Sequence, residues 1–242
     1  EEKARGVIAC SAGNHAQGVA LAASKHGIKS LICLPDSAPI SKIEATKSYG
    51  ADICLVNGCY DDAYAKALQL KDEMGYTFVH PFDDDDVITG QGTITMEIIQ
   101  ELPTVDYIFA PVGGGGLISG VSALAKMLNP KIKVIGVEPI EAASMSAAME
   151  AGEIVTLDSV NTIADGTAVK TVGEIPFAYA KEHVDMMLTV EDDELIGTFL
   201  DMVENHKMVV ENSGLLTVAA LKQLDLEGKK VVAILSGGNM DV

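Results

Sequence analysis

The sequence predicts an α/β protein built on parallel β-sheet, and three observations carry that prediction. Short β-branched runs alternate with longer stretches of helical pattern, as expected of strands joined by crossover helices and covered on both faces. Two junctions, "CSAGNHAQGV" from Cys10 and "VGGGGLISG" from Val112, pass from an apolar run into a helical one through small and polar residues. A third such run, "LSGGN", closes the last predicted strand.

Taken in order, "GVIAC" leads through "HAQGVALAASKHG" to "SLICLP", then "SKIEATKSYG" leads to "DICLV". "YDDAYAKALQLKDEMG" and "TFVHP" complete a first set, and a boundary near His80–Pro81 divides the chain into domains of residues 1–80 and 81–242. The second set opens with the helix "TITMEIIQEL", the strand "DYIFAPV" and the helix "LISGVSALAKML". It continues through "KVIGVEP", a helical "AASMSAAMEAG", an irregular stretch around "NTIADGTAVK" and the strand "DMMLTV". The helices "EDDELIGTFLDMVENH" and "GLLTVAALKQL" then precede "KVVAILSGG". No internal repeat is visible. The "DDDD" tract from Asp83 lacks the alternating ligands, central Gly and distal Glu of an EF-hand, so it reads as solvated acid opening a helix.

At 242 residues, 48% hydrophobic and 21% charged, the chain buries a real core and is not disordered. Its formal charge of −18, from 35 acids against 17 bases, repels polyphosphate and anionic lipid, which argues against nucleic-acid or membrane partners. No apolar run approaches a bilayer span and no secretory signal is visible, so the cytoplasm is the expected location. Arg5 is the sole arginine. An anionic substrate must therefore be held by lysines, hydroxyls or backbone N–H groups. Cys10, Cys33, Cys54 and Cys59 form no C-x-x-C pair, and reduced structural thiols are expected.

Gly113, Gly114, Gly115 and Gly116 follow a strand and open a helix, where free N–H groups and the helix dipole favour an anion. Ile118 breaks the G-x-G-x-x-G pattern and no G-K-[ST] follows. Four glycines exceed the needs of a turn, which points to phosphate. In a parallel α/β sheet the ligand crevice lies beyond the carboxyl ends of the strands. Ser11–Asn14, Gly113–Gly116 and Ser236–Asn239 all sit at such ends, and their convergence on one cofactor crevice is the expectation.

The ordered set "SAGNHAQG", "KIEATKSYGA", "HPFDDDDVITGQGT", "PVGGGGLISG", "GVEP", "TIADG" and "LSGGN" resembles the threonine dehydratases (threonine ammonia-lyases), with the serine racemases as near relatives. Both are pyridoxal phosphate (PLP) enzymes of fold type II. The resemblance implies two three-layer parallel-sheet domains, incomplete at the N-terminus, in a homo-oligomeric full-length enzyme. It implies that Asn14 bonds the cofactor's ring oxygen, that Gly113–Gly116 and Leu117 cradle the phosphate, that Gly166 packs near the ring, and that Ser236 faces the pyridine nitrogen. Ser11, with the backbone of Gly13, Asn14 and His15, is implied to grip the carboxylate of an amino-acid substrate. Read without the resemblance, Asn14 is a helix cap and His15 and Ser236 are satisfied turn residues. His26, His80, His183 and His206 match no motif and are assigned structural or surface roles.

Ser236, a neutral hydroxyl, gives the ring nitrogen little help in holding a proton. The cofactor is then a moderate electron sink, which favours expulsion of the β-hydroxyl. Racemases carry a serine where this chain has Ala12, and alanine has no proton to give, so dehydration is expected over racemisation. Cysteine synthases differ at the "GNHAQG" and "GGGGL" loops. The family's Schiff-base lysine lies in an "S-F-K-x-R-G" motif upstream of the "GNH" loop, and no lysine here has that context. Lys3, in the mid-helix stretch "EEKARG", matches an intervening helix instead. The chain is therefore expected to be a fragment, without a catalytic residue of its own and without a C-terminal regulatory domain. A phosphate-ligand-binding fragment without catalysis is the alternative of another class. A racemase-type cation site is matched by Glu138 and Ala142, but its third position is Ser144 rather than an acid. That lost charge favours a monovalent ion, or none, over magnesium, with a purely structural Glu138 as the simpler reading.

Overall fold

The computed structural model describes residues 2–240, leaving Glu1, Asp241 and Val242 of the expected domains outside the described residues. The chain divides into two compact units, one running to Pro81 and one spanning Phe82–Met240.

In the first unit α1 (Glu2–Arg5) leads to β1 (Val7–Cys10), α2 (Asn14–Lys25), β2 (Ser30–Pro35) and α3 (Ile40–Ser48). β3 (Asp52–Val56), α4 (Tyr60–Met74) and β4 (Thr77–Phe78) follow. The strands form one parallel sheet in the order β3-β2-β1-β4. Alternate residues serve opposite faces, as a pleated strand requires. Ala9, Ile32 and Leu34 join Ala16, Val19 and Ala20 of α2 and Ile43 of α3, while Ile8, Cys10 and Cys33 pack on Ala63 and Ala67 of α4. Burial pushes the Cys10 and Cys33 thiols up to about 12, Cys33 with a further push from Cys54. Those thiols stay protonated and act as small apolar groups. Cys54 is half-buried, and Cys59 is an exposed cap residue of α4.

In the second unit α5 (Asp85–Glu101), β5 (Tyr107–Pro111), α6 (Gly116–Leu128), β6 (Lys133–Pro139) and α7 (Ser144–Ala151) are followed by α8 (Glu174–His183). β7 (Met186–Val190), α9 (Asp192–Asp201), α10 (Asn212–Ala220) and β8 (Val231–Ala233) complete it. The parallel order is β7-β6-β5-β8. Ile108, Ala110 and Val134 face a layer that includes Ile118, Val121, Met145 and Phe177. Phe109, Ile135 and Val137 face Leu195, Leu215 and Leu216 on the other side. A fully buried side chain of this kind contributes about 1.5–3 kcal/mol, so the sandwiching of the sheet between two helix layers holds the unit together.

The acidic tract does more than open a helix. Asp84 is the cap of α5 and accepts the N–H groups of Asp86 and Val87, whereas Asp83 accepts the N–H of Ile175 at 2.9 Å and so caps α8. At the far end of the sheet the Asp185 carboxylate takes Lys126 at 2.6 Å, Lys133 at 2.8 Å and the Val134 amide at 2.9 Å. Burial raises the Asp185 pKa, but the hydrogen bonds from Lys126, Lys133 and Val134 outweigh it and hold the carboxyl below its ordinary range. Among the described residues no helix is long and apolar enough to cross a membrane.

Candidate active site

The loop from Gly113 to Gly116 leaves the carboxyl end of β5 and becomes the first turn of α6. Gly115, at φ +96°, takes the left-handed backbone that glycine favours. The surroundings are close. A Cβ on Gly113 would lie 2.9 Å from Cα of Thr167, one on Gly115 would lie 2.7 Å from Met145 and Pro176, and one on Gly116 would lie 2.8 Å from Cα of Phe82. A Cβ on Gly114 would overlap the Phe82 ring. The loop's carbonyls are held: the Ser119 hydroxyl donates to Gly115 at 2.7 Å, and the Gly173 N–H donates to Gly114 at 3.1 Å. Its donors are not. Among the described residues no hydrogen bond uses the N–H groups of Gly113 through Leu117. Such a row of amides, part of it on buried glycines, suits an anion.

Two other expected residues of this unit lie on the same wall. β8 pairs with β5, Phe109 opposite Ala233, so Ser236 leaves the sheet at the same end as the glycine loop. The backbone of Thr167 and Gly166 lies against Gly113, Gly166 lies against the Ser213 side chain, and Gly214, next in sequence, lies against the Ser236 backbone. The turn carrying Gly166 is anchored by Asp192, whose carboxylate accepts the Thr162 hydroxyl at 2.6 Å and the Ile163 amide at 3.0 Å. Asn212 holds the Ile163 carbonyl at 3.0 Å. Sequence reasoning missed Ser119, Thr167, Asp192 and Ser213 as supports. Of these only Ser119 carried a local signal, one helical turn after Gly115 and able to bond back to its carbonyl.

In the first unit the small polar loop follows the carboxyl end of β1. Asn14 begins α2 rather than capping it; the cap position is Gly13, which makes no side-chain bond. The Ser11 amide donates to Cys33 at 3.2 Å, and Tyr60 donates to the Cys10 carbonyl at 3.4 Å. The Gly13 N–H, expected to be a carboxylate donor, is instead given to Ser11 Oγ at 3.1 Å. That bond leaves the Ser11 hydroxyl proton available to an acceptor. His15 Nε2 lies 3.0 Å from the carbonyl of Val79.

Glu138, in β6, is fully buried. It accepts Met145 N–H on Oε1 at 2.7 Å, and the Ser146 N–H and hydroxyl on Oε2 at 2.9 and 2.6 Å. Burial pushes its carboxyl above the ordinary value, against the pull of the Ser146 hydroxyl and the two amides. Ser144 Oγ, one residue before Met145, is buried with no hydrogen-bond partner among the described residues. No cluster of three His, Cys, Asp or Glu residues able to hold a metal occurs among the described residues. Among the unassigned histidines, His80 packs with Tyr64 and Phe78, His183 lies by Tyr179, and His206 faces Asp201.

The fold and the glycine loop define an α/β chain with a row of unbonded amides beyond the carboxyl end of a parallel strand, in an arrangement that suits an anion. Residues 1–237 match the model of the pyridoxal-phosphate dependent enzyme family, and the chain belongs to that family. It is 48% identical to the L-threonine ammonia-lyase of Thermotoga maritima over 243 residues, covering 100% of this chain and 61% of that protein. It is 45% identical to the biosynthetic L-threonine dehydratase of Haemophilus influenzae, covering 100% of this chain and 48% of that one. The chain thus spans about half to three-fifths of the length of these curated relatives. Among solved structures, processed threonine deaminase isoform 2 from Solanum lycopersicum superposes with a TM-score of 0.94 at 41% identity, over 99% of this chain and 71% of that one. Maize serine racemase gives 0.95 at 36%, over 100% and 75%. The two parallel sheets with their helix layers are the fold-type II architecture of these enzymes.

Proposed function

We propose that the full-length protein is a PLP-dependent threonine ammonia-lyase that converts L-threonine, and L-serine, to a 2-oxo acid and ammonia. The observation that carries this reading is the row of unpartnered amides from Gly113 to Leu117, in a chain whose whole length resembles enzymes named for that reaction. Gly113–Gly116 and Leu117 hold the cofactor phosphate, Gly166 packs beside the ring, Ser236 meets the ring nitrogen and Asn14 meets the ring oxygen. Bound PLP supplies an electron sink for the charge left at Cα. The Ser11 hydroxyl and the amides of Asn14 and His15 orient the substrate carboxylate. Ala12 offers no proton to the opposite face of Cα, which disfavours racemisation.

No lysine of the chain is buried, whereas a Schiff-base lysine is activated by desolvation or a neighbouring cation. This supports a Schiff-base lysine outside residues 1–242. The full-length protein given L-threonine should release 2-oxobutanoate and ammonia, and borohydride added to the isolated 242-residue chain with PLP should trap no specific lysine. D-serine as the main product, or a single trapped lysine within the chain, overturns the respective part.

We infer that Glu138 helps to hold a monovalent cation, against the simpler reading of a purely structural carboxylate. A fully buried carboxylate with no cationic partner is costly, and hydrogen bonds use three of its roughly four lone-pair sites, leaving one on Oε1. That oxygen, Ser144 Oγ and the Ala142 carbonyl would hold the ion. A carboxyl with a raised pKa binds more protons in the fold than in the unfolded chain. Stability therefore falls as pH rises from the ordinary value of about 4.3 through the folded one. Potassium should offset that loss and, at pH 8, raise the thermal midpoint of the full-length protein by about 3 °C over choline at equal ionic strength. Glu138→Gln should erase the difference. Equal midpoints in both salts for the parent would leave Glu138 a helix-capping residue only.

A further inference from the structure

The geometry points to His15 as a positioning residue for amino-acid binding, acting through the carbonyl of Val79. This rests on the proposed placement of the substrate carboxylate at the Ser11–His15 loop. Gly13 has no atom within 4 Å of where its Cβ would stand, and its amide is spent within the loop on Ser11. At the upstream end, β1 and Tyr60 fix Cys10 and Ser11. At the downstream end the imidazole reaches across 64 residues of sequence to Val79, just past the end of β4. A carbonyl only accepts, so Nε2 carries the proton and donates.

Val79 is itself a firm anchor, because its own N–H donates to Ile8 in the neighbouring strand at 2.9 Å. The imidazole therefore fastens the first turn of α2 to the sheet. That turn carries the amides proposed to receive the carboxylate. Without the bond the turn keeps its helical hydrogen bonds downstream but loses its register against β1. The expected consequence is weaker capture of substrate, with the reacting bonds and the phosphate cradle of the other unit untouched.

The test is steady-state kinetics on the full-length holoenzyme. His15→Ala should raise KM for L-threonine about tenfold, as expected from the loss of one part-buried hydrogen bond. Its kcat should stay within about threefold and the visible absorbance of bound PLP should be unaltered. His15→Gln, whose amide reaches a similar distance, should recover most of the loss. An unchanged KM in His15→Ala, a fall in kcat at constant KM, or a Gln variant no better than Ala overturns the assignment. The parent protein reports separately on the reaction. If it acts on another amino acid, the same KM comparison is made with that substrate. If it turns over none, the functional reading fails, and amino-acid binding by the parent and His15→Ala, followed through the PLP absorbance, still decides the role of His15.

Discussion

Gly120→Ala in the full-length protein should lower the thermal midpoint of the second unit by about 4–8 °C, as measured by calorimetry. Helices α5 and α6 meet at Gly92 and Gly120. A Cβ on Gly120 would overlap the Ile88 carbonyl oxygen and lie 2.6 Å from Gly92 N and 2.9 Å from the Gln91 carbonyl carbon. All three are backbone atoms of one helix, so no side-chain rotation relieves the clash and the helices must separate. Separation also strains the buried bond from the Thr95 hydroxyl to the Val121 carbonyl at 2.9 Å. Overpacking costs about 1–3 kcal/mol and a weakened buried hydrogen bond adds about 1 kcal/mol, while alanine's helix propensity returns about 1 kcal/mol, which sets the total near 2 kcal/mol. Gly92→Ala is the control across the same crossing. Its Cβ would come no closer than 3.3 Å to the Gly120 carbonyl oxygen, and alanine gains about 1 kcal/mol in helix propensity. Its midpoint should move by less than about 2 °C. If the two variants shift the midpoint equally, the helices slide freely and the crossing is not the constraint described.

The two sheets were readable because strands covered on both faces are continuous apolar runs bounded by turn residues, as in "YIFAP" and "SLICLP". Helix α8 was not read. Its first turn contains Pro176, which suits a helix start but interrupts the periodic pattern, and its cap, Asp83, stands 92 residues away. The same distance problem split the aspartate tract: Asp84 behaves as a local reading expects, while Asp83 serves another helix. The last strand was read as running toward Leu235, yet its ladder closes at Ala233, with only the Ile234 amide continuing to Phe109. In each unit, the candidate residues visible in sequence were those that follow a strand end: Asn14 in the first, the glycines and Ser236 in the second. Their supports were invisible because each acts on a partner remote in sequence. Thr167 meets Ser213 46 residues on, Ser119 reaches Pro176 57 residues on, and His15 reaches Val79.

Gly113→Ala tests whether the glycine loop holds a phosphate or only fills space. Gly113 does not have positive φ, so alanine there adds no backbone strain, and the effect is confined to what the methyl meets. It meets Cα of Thr167 at 2.9 Å, Val169 at 3.3 Å and the Gly166 carbonyl at 3.4 Å. The turn behind it is fixed by Asp192 and Asn212, so the glycine loop moves instead, and its amides move with it. Hydrogen bonds to a charged group contribute about 1.5–3 kcal/mol each, so displacing one or two should weaken PLP binding by about 100-fold in the full-length apoenzyme. Pyridoxal, which lacks the phosphate, should bind parent and variant within about threefold of each other. That contrast separates the two readings. A methyl group that merely narrowed the pocket would weaken both ligands alike, and that result would remove the phosphate from the glycine loop.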